Sequence, residues 1–144
     1  MAQELQHFIG GQKVSGKSGR FGDVYNPSSG LIAARAPLAS KSEMEVAIAD
    51  AAAAFPAWAA ASPIARARVM FKFKALLEKH SDEIAGLISS EHGKVHSDAK
   101  GSLIRGNEVV EFACGIPHLL KGEFSPGVST GVDMYSMRQP LGVV

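Results

Sequence analysis

The clearest indication of fold class is the stretch Arg138-Gln139-Pro140-Leu141-Gly142-Val143-Val144, which ends the 144-residue chain. Proline is tolerated at the first position of a strand, where a missing N–H donor is least costly, and the apolar residues that follow are typical of a buried strand. The stretch therefore predicts the entrance to a central strand of an α/β sheet. No turn or polar terminus follows it, which predicts an unfinished strand and an unfinished domain.

The composition is that of a soluble globular protein, with 46% hydrophobic and 20% charged residues. The formal net charge is +1 with both signs interspersed, so no nucleic-acid partner and no acidic membrane partner is expected. One cysteine, Cys114, cannot form an internal disulfide, and the N-terminus has neither a basic region nor an apolar run. A reducing cytoplasm is the expected location. The longest apolar stretch, residues 47–61, is interrupted by Asp50 and Pro56, so no transmembrane helix is expected.

The first forty residues predict short strands joined by turns. Phe8-Ile9 and Lys13-Val14 flank Gly10-Gly11, a pair suited to the positive φ of a β-hairpin turn. A second extended run, residues 21–25, is closed by the turn at residues 26–30, and residues 31–36 resume a strand. The glycines have neither Gly-x-Gly-x-x-Gly nor Walker spacing, which favours turns over a phosphate-binding loop.

Capping residues mark where helices begin. Ser40 and Glu43 form a capping box that predicts a helix start. Pro56 cannot continue the hydrogen-bond ladder, so it predicts an end or kink near Ala54. Ser62-Pro63 then restarts the helix as N-cap and first helical residue.

Two more helices follow, and then a strand. The third opens at residues 81–83 and stops at Gly93 in the left-handed conformation. The fourth runs from near Ser97 to residues 115–117, and its Gly101 and Gly106 predict close packing against another element, because glycine weakens a helix interior. Residues 125–127 predict a turn, and the alternation at residues 132–138 predicts a strand at a sheet edge.

Few residues have the pattern of a catalytic or metal site. Cys114 lies in an apolar helix, which favours a small buried core residue over a nucleophile. His92 and His96 are four residues apart, but a glycine breaks the helix between them, which argues against a metal pair. Glu108 and Glu111 could share one helix face, where paired carboxylates are commonly exposed to solvent.

Arg105 is the strongest candidate for a binding residue. It lies on the fourth helix among apolar residues and glycine, where a buried guanidinium needs a carboxylate or phosphate partner in a bidentate fork. The residues alone favour an intramolecular ion pair with an acidic side chain. An anionic ligand is the alternative.

Five segments, in this order, resemble the N-terminal part of the aldehyde dehydrogenases: Phe8-Ile9-Gly10-Gly11, Asn26-Pro27-Ser28-Ser29-Gly30, Ala54-Phe55-Pro56-Ala57-Trp58, Glu91-His92-Gly93-Lys94 and Arg138-Gln139-Pro140-Leu141-Gly142-Val143-Val144. The block from Arg105 to Pro117 most resembles the methylmalonate-semialdehyde dehydrogenase branch, which is NAD-dependent and CoA-acylating. The resemblance covers nearly the whole chain. It implies an α/β architecture with a small hairpin and strands, about four helices and a bridging strand, with most of the Rossmann-like sheet missing.

The resemblance also implies how the chain is divided. Residues 1–126 would form a strand-and-helix layer of the cofactor-binding domain, residues 127–139 a strand of an oligomerisation sheet, and residues 140–144 the start of the first strand of the Rossmann-like core. Without the rest of that sheet, the apolar faces from Met44 to Trp58 and from Ile64 to Leu77 would lack much of their cover.

The activity implied by the resemblance is oxidation of methylmalonate or malonate semialdehyde with NAD and CoA to propionyl-CoA or acetyl-CoA plus carbon dioxide. In that branch the arginine matching Arg105 is implicated in holding the substrate's carboxylate. The family's catalytic and cofactor-binding residues lie downstream of the residue matching Val144, so this segment is expected to contain none of them, to bind no metal and to be inactive alone. The full-length enzyme would be a homo-oligomer. The alternatives are a non-catalytic truncated homologue that acts as a binding or assembly partner, and an independent small domain that binds an acid through Arg105.

Overall fold

The computed structural model describes residues 2–144, which begin with short strands. Strands β1 (Gln3–Glu4), β4 (Phe21–Tyr25) and β5 (Ile32–Pro37) form a sheet in the order β1-β5-β4, with β1 parallel and β4 antiparallel to β5. Strands β2 (His7–Ile9) and β3 (Gln12–Val14) form a separate antiparallel hairpin. Its turn residues Gly10 and Gly11 have φ of 60° and 73°, so the predicted glycine hairpin is confirmed.

Helix α1 (Lys41–Ala60) begins at the predicted capping box but does not end at the predicted place. The helix continues through Pro56 to Ala60, so the predicted end near Ala54 is wrong. Proline removes one ladder hydrogen bond, to the carbonyl of Ala52, and that residue is exposed to water. The surrounding alanines have the highest helix propensity of any residue, which favours a continued helix.

Helix α2 (Pro63–Lys79) starts as predicted, with Ser62 as N-cap and Pro63 in the first turn. Helices α3 (Ser81–His92), α4 (His96–Cys114) and the short α5 (Ile116–Leu119) follow. In residues 2–144 no single helix is long and apolar enough to cross a membrane; α1 and α2 meet that test only together, bent by 115° at their break.

Helices α2 and α3 both pack on α4, and small side chains fill the contacts. The buried hydrophobic residues of the described chain are Ala67, Ala85, Ala99 and Cys114, each at most 7% exposed. Alanine lets helix backbones approach closely, so this layer is held by tight backbone approach rather than by large side chains.

The two predicted apolar faces remain largely uncovered. In α1, Met44 and Trp58 are 54% and 50% exposed, and in α2, Ile64 and Leu76 are 53% and 54% exposed. Helix α1 contributes no buried residue to the described chain. The expectation that these faces lack cover agrees with the structure.

The last two strands, β6 (Phe124–Ser129) and β7 (Val132–Tyr135), form an antiparallel hairpin, and every residue in both is exposed. The turn predicted at residues 125–127 is wrong, because these residues lie in β6 and the chain reverses at Thr130-Gly131, where Gly131 has φ of 73°. The positive φ of Gly127 instead accompanies a register shift between Ser125 and Ser129.

The end of the chain also departs from the sequence-based expectation. Strand β7 ends at Tyr135 rather than Arg138, and residues 136–144 form no strand or helix. Leu141 is 93% exposed. A strand requires a hydrogen-bonded neighbour, and none of the strands in residues 2–144 pairs with this segment, so the strand predicted from Pro140 does not form here.

Candidate functional site

Arg105 lies on α4 but is exposed rather than buried, so the prediction of a buried guanidinium is wrong. The contacts of α4 with α2 and α3 bury Ala99 and leave Arg105 on the open side of the helix. A guanidinium nitrogen of Arg105 donates to Ser102 Oγ at 3.4 Å. No ion pair within 4.0 Å among residues 2–144 includes Arg105. The intramolecular ion pair favoured by the residues is therefore absent from the described chain.

Gly101 lies next to the guanidinium of Arg105. A Cβ at Gly101 would lie 3.8 Å from Arg105 Nη1, and a Cβ at Gly106 would meet nothing within 4 Å. The prediction that both glycines pack closely against another element is wrong for the described chain. At Gly101 the neighbour is the guanidinium of the same helix, one turn later.

A second cation reaches the same hydroxyl group. Lys94 Nζ donates to Ser102 Oγ at 2.8 Å, and both residues are half-buried. Lys94, like Arg105, is in no ion pair with any residue from 2 to 144. Two positive side chains thus converge on one neutral acceptor. We call Lys94, Ser102 and Arg105 the Ser102 cluster.

Lys94 is positioned by the turn that precedes it. Gly93 ends α3 in the left-handed conformation, with φ of 82°, as the sequence predicts. Its N–H donates to the carbonyl of Ser89. A Cβ at Gly93 would lie 3.2 Å from both Cβ and Cγ of Pro27. Two of the motifs that carry the family resemblance, around Pro27 and Gly93, are therefore in contact, and together they determine where the Lys94 side chain starts.

Sequence reasoning found Arg105 but missed the other two members of the Ser102 cluster. Ser102 could have been found, because it precedes Arg105 by three residues and so shares its helix face. Lys94 had no such signal, since it lies outside α4 and reaches Ser102 only through the packing of α3 on α4.

An open groove of about 490 Å³ lies between α2, α3 and α4, and none of the three residues of the Ser102 cluster lines it. Its walls combine apolar and acidic side chains: Leu77, Leu103, Ile104, Glu78, Glu108 and Glu111. Lys74 Nζ lies 2.5 Å from Glu78 Oε1 and 3.6 Å from Glu111 Oε2. The hydrogen bond with Glu78 raises the pKa of Lys74, and the same bond lowers the pKa of Glu78. Glu108 and Glu111 are exposed as predicted, and these contacts are those of a surface charge network.

The remaining candidates form no site in the described chain. Cys114 is buried at the end of α4, which confirms its assignment as a core residue. His96 Nε2 lies 3.4 Å from the carbonyl oxygen of Asp82, and His92 is exposed. Residues 2–144 contain no group of three or more His, Cys, Asp or Glu side chains that could hold a metal ion.

The sequence pattern of the aldehyde dehydrogenase family matches residues 13–144, and the chain belongs to this family. It is 48% identical over 140 residues to a malonate-semialdehyde dehydrogenase of Pseudomonas aeruginosa, covering 97% of this chain and 28% of that protein. It is 43% identical over 136 residues to the human mitochondrial acylating methylmalonate-semialdehyde/malonate-semialdehyde dehydrogenase, covering 94% of this chain and 25% of that protein.

Solved structures give the same result. A methylmalonate-semialdehyde dehydrogenase of Oceanimonas doudoroffii superposes with a TM-score of 0.90 at 50% identity, covering 98% of this chain and 28% of that one. A Sinorhizobium meliloti protein described as a methylmalonate-semialdehyde dehydrogenase and solved with NAD gives a TM-score of 0.92 at 49% identity, covering 99% and 29%. The predicted fold class and the predicted resemblance are confirmed. The chain spans between a quarter and three tenths of the length of these relatives.

Proposed function

We propose that this chain is part of an NAD-dependent, CoA-acylating dehydrogenase of methylmalonate or malonate semialdehyde, and that Arg105 binds the substrate's carboxylate. The reaction would oxidise the semialdehyde and release carbon dioxide, giving propionyl-CoA or acetyl-CoA. The names of the similar proteins support the substrate class, the acylating type and NAD. The observation that carries the role of Arg105 is an exposed guanidinium with no carboxylate partner in residues 2–144.

The chemistry of a guanidinium suits this role. Arginine stays charged at any physiological pH and can offer a carboxylate two parallel N–H donors. Within residues 2–144 the Arg105 side chain makes one hydrogen bond, to Ser102 Oγ at 3.4 Å. The fork is therefore available to an anion from outside the segment. A semialdehyde of malonate type carries one carboxylate, which matches one such fork.

The residues present do not fit a nucleotide cofactor. A dinucleotide pyrophosphate binds at a helix N-terminus that follows a strand and a glycine-rich turn. Strand β5 leads into α1 in that order, but the first-turn N–H of Glu43 is already bonded to Ser40 Oγ, and the Glu43 carboxylate occupies the same end. The proposal therefore assigns the binding of NAD and CoA, and the catalytic residues, to other parts of the full-length enzyme.

The proposal retains the predicted division of the chain at residues 126/127 and 139/140, the homo-oligomeric state and the cytoplasmic location. Support for the oligomer comes from the β6–β7 hairpin, whose strands are exposed along their whole length. Exposed strand edges pair readily with another chain. Support for a reducing compartment comes from the single, unpaired thiol of Cys114.

Replacing Arg105 with leucine in the complete enzyme tests the proposal. We expect KM for malonate semialdehyde to rise about 30-fold, because a charged hydrogen-bonding contact with the carboxylate is lost. KM for propanal, which has no carboxylate, should change far less. Arg68→Leu, at another exposed arginine on α2, is the matched control. Equal increases for both aldehydes would contradict the carboxylate-binding role.

A further inference from the structure

Within residues 2–144, the lysine ammonium groups that contact another polar side chain are of two kinds. Lys74, Lys100 and Lys41 each lie within 4.0 Å of a carboxylate, Lys100 Nζ at 2.5 Å from Asp82 Oδ1. Lys94 differs, because its ammonium is half-buried and its contact is the hydroxyl of Ser102 at 2.8 Å. A lysine drawn out of solvent without a carboxylate lacks the usual compensation for lost hydration.

The hydroxyl of Ser102 is fully used as an acceptor. A serine oxygen has two lone pairs and one proton to donate. Lys94 Nζ and a guanidinium nitrogen of Arg105 both donate to this oxygen, at 2.8 Å and 3.4 Å. The proton of Ser102 must therefore point away from both cations, where only an acceptor could meet it. All three members of the Ser102 cluster have donors left for an acceptor.

Charge also favours an anion at this point. Two positive charges that share one neutral acceptor repel each other, and the repulsion is stronger near a partly buried group than in bulk water. In residues 2–144 no acidic side chain pairs with either cation. An anion that contacts both cations would add two attractive interactions, and these would outweigh the repulsion between the cations.

We propose that the Ser102 cluster is one carboxylate-binding group, in which Lys94 supplies a second positive charge to the substrate's carboxylate and Ser102 is a positioning residue. Ser102 holds the guanidinium of Arg105 along α4, next to Gly101. Lys94 is held in turn by the contact between Gly93 and Pro27. This inference rests on the proposed function, because it takes the carboxylate of the semialdehyde as the anion.

The test uses Lys94→Met, Ser102→Ala and Arg105→Leu in the complete enzyme, with malonate semialdehyde and propanal as substrates. We expect Lys94→Met to raise KM for the semialdehyde about tenfold, with a much smaller change for propanal and in kcat. Ser102→Ala should raise the same KM several-fold, while Ser102→Thr, which keeps the hydroxyl, should stay close to the unmodified enzyme. Lys100→Met is the matched control, since Lys100 lies on α4 and pairs with Asp82.

Two further measurements separate binding from folding. Lys94→Arg keeps the charge and should restore most of the lost affinity if Lys94→Met acts through charge. Calorimetric titration with malonate as a carboxylate probe should show weaker binding to Lys94→Met and to Arg105→Leu. The double variant should lose less than the two single losses combined, because both residues contact one anion.

The outcomes distinguish the two proposals. If Arg105→Leu raises KM selectively for the semialdehyde but Lys94→Met behaves like Lys100→Met, the proposed function stands and the role of the Ser102 cluster is overturned. If neither Arg105→Leu nor Lys94→Met distinguishes the two aldehydes, both proposals fail. Selective effects of both variants, with rescue by Lys94→Arg, support the cluster.

Discussion

Replacing Ser40 with alanine should loosen the start of α1 more than the same change at Ser62 loosens the start of α2. Ser40 Oγ accepts from the Glu43 N–H at 3.3 Å and donates to the Glu43 carboxylate at 2.7 Å. The same carboxylate accepts from the Ser40 N–H at 2.8 Å and, through its other oxygen, from the Lys17 N–H at 2.7 Å. Ser40 therefore orients a carboxylate that also ties the loop after β3 to α1.

Ser62 provides a matched comparison, because it caps α2 with one contact, from the Ala65 N–H at 3.3 Å. Loss of a serine cap costs about 0.5 to 2 kcal/mol. We expect a value near the low end, about 0.5 to 1 kcal/mol, for Ser62→Ala. Ser40→Ala should lie near the high end, about 2 kcal/mol, because it removes two contacts of one hydroxyl.

Hydrogen exchange followed by mass spectrometry measures both changes in the complete protein. A local loss of about 2 kcal/mol corresponds to an approximately 30-fold faster exchange of the first-turn amides of α1, and about 1 kcal/mol to approximately fivefold in α2. Amides around Lys17 should also exchange faster in Ser40→Ala and remain unchanged in Ser62→Ala. Equal acceleration at the two caps, or no response near Lys17, would refute this reasoning.

Three other predictions concern Glu43, Gly122 and Gly106. Hydrogen bonds from the Ser40 hydroxyl and from the Ser40 and Lys17 N–H groups lower the pKa of Glu43 from 4.5 to about 2, so its stabilising effect is complete above pH 4.5 and is lost as the pH falls toward 2; exchange at the start of α1 should accelerate over that range, and Glu43→Gln should abolish the dependence. Gly122→Ala would place a Cβ 1.9 Å from the carbonyl oxygen of Ser136, so it should destabilise the protein by about 1 to 3 kcal/mol in urea denaturation. Gly106→Ala, at a helix position with nothing within 4 Å, should instead stabilise by up to about 1 kcal/mol, and a loss of stability there would show that the position is covered in the complete protein.

The structure differs from the sequence-based prediction where the preference of one residue is outweighed by the preferences of its neighbours. Pro56 has no N–H to donate to the carbonyl of Ala52, but the alanines around it favour a continued helix. Gly127 carries the positive φ expected of a turn, but the residues on both sides pair with β7, so the result is an irregular strand. In both places the neighbouring residues decided the outcome.

In the candidate site, too, the sequence shows some features and the packing of the helices decides the others. Arg105 and its spacing from Ser102 are visible in the sequence, but which side of α4 is buried depends on α2 and α3. The apolar neighbours of Arg105 predicted burial, yet Ile104 and Val109 are themselves exposed. A helix pattern gives the relative orientation of its faces, and only the packing partner determines which face is covered.

By itself the sequence determined the features that depend on a few adjacent residues. These are the Gly10-Gly11 hairpin, the caps at Ser40 and Ser62, and the stop at Gly93, because backbone sterics and hydrogen bonds within one turn act locally. Tertiary structure alone decided that Lys94 and Arg105 share the hydroxyl of Ser102. That contact depends on how α3 packs against α4 and how Pro27 meets Gly93, and such long-range distances are determined only once the helices are in place.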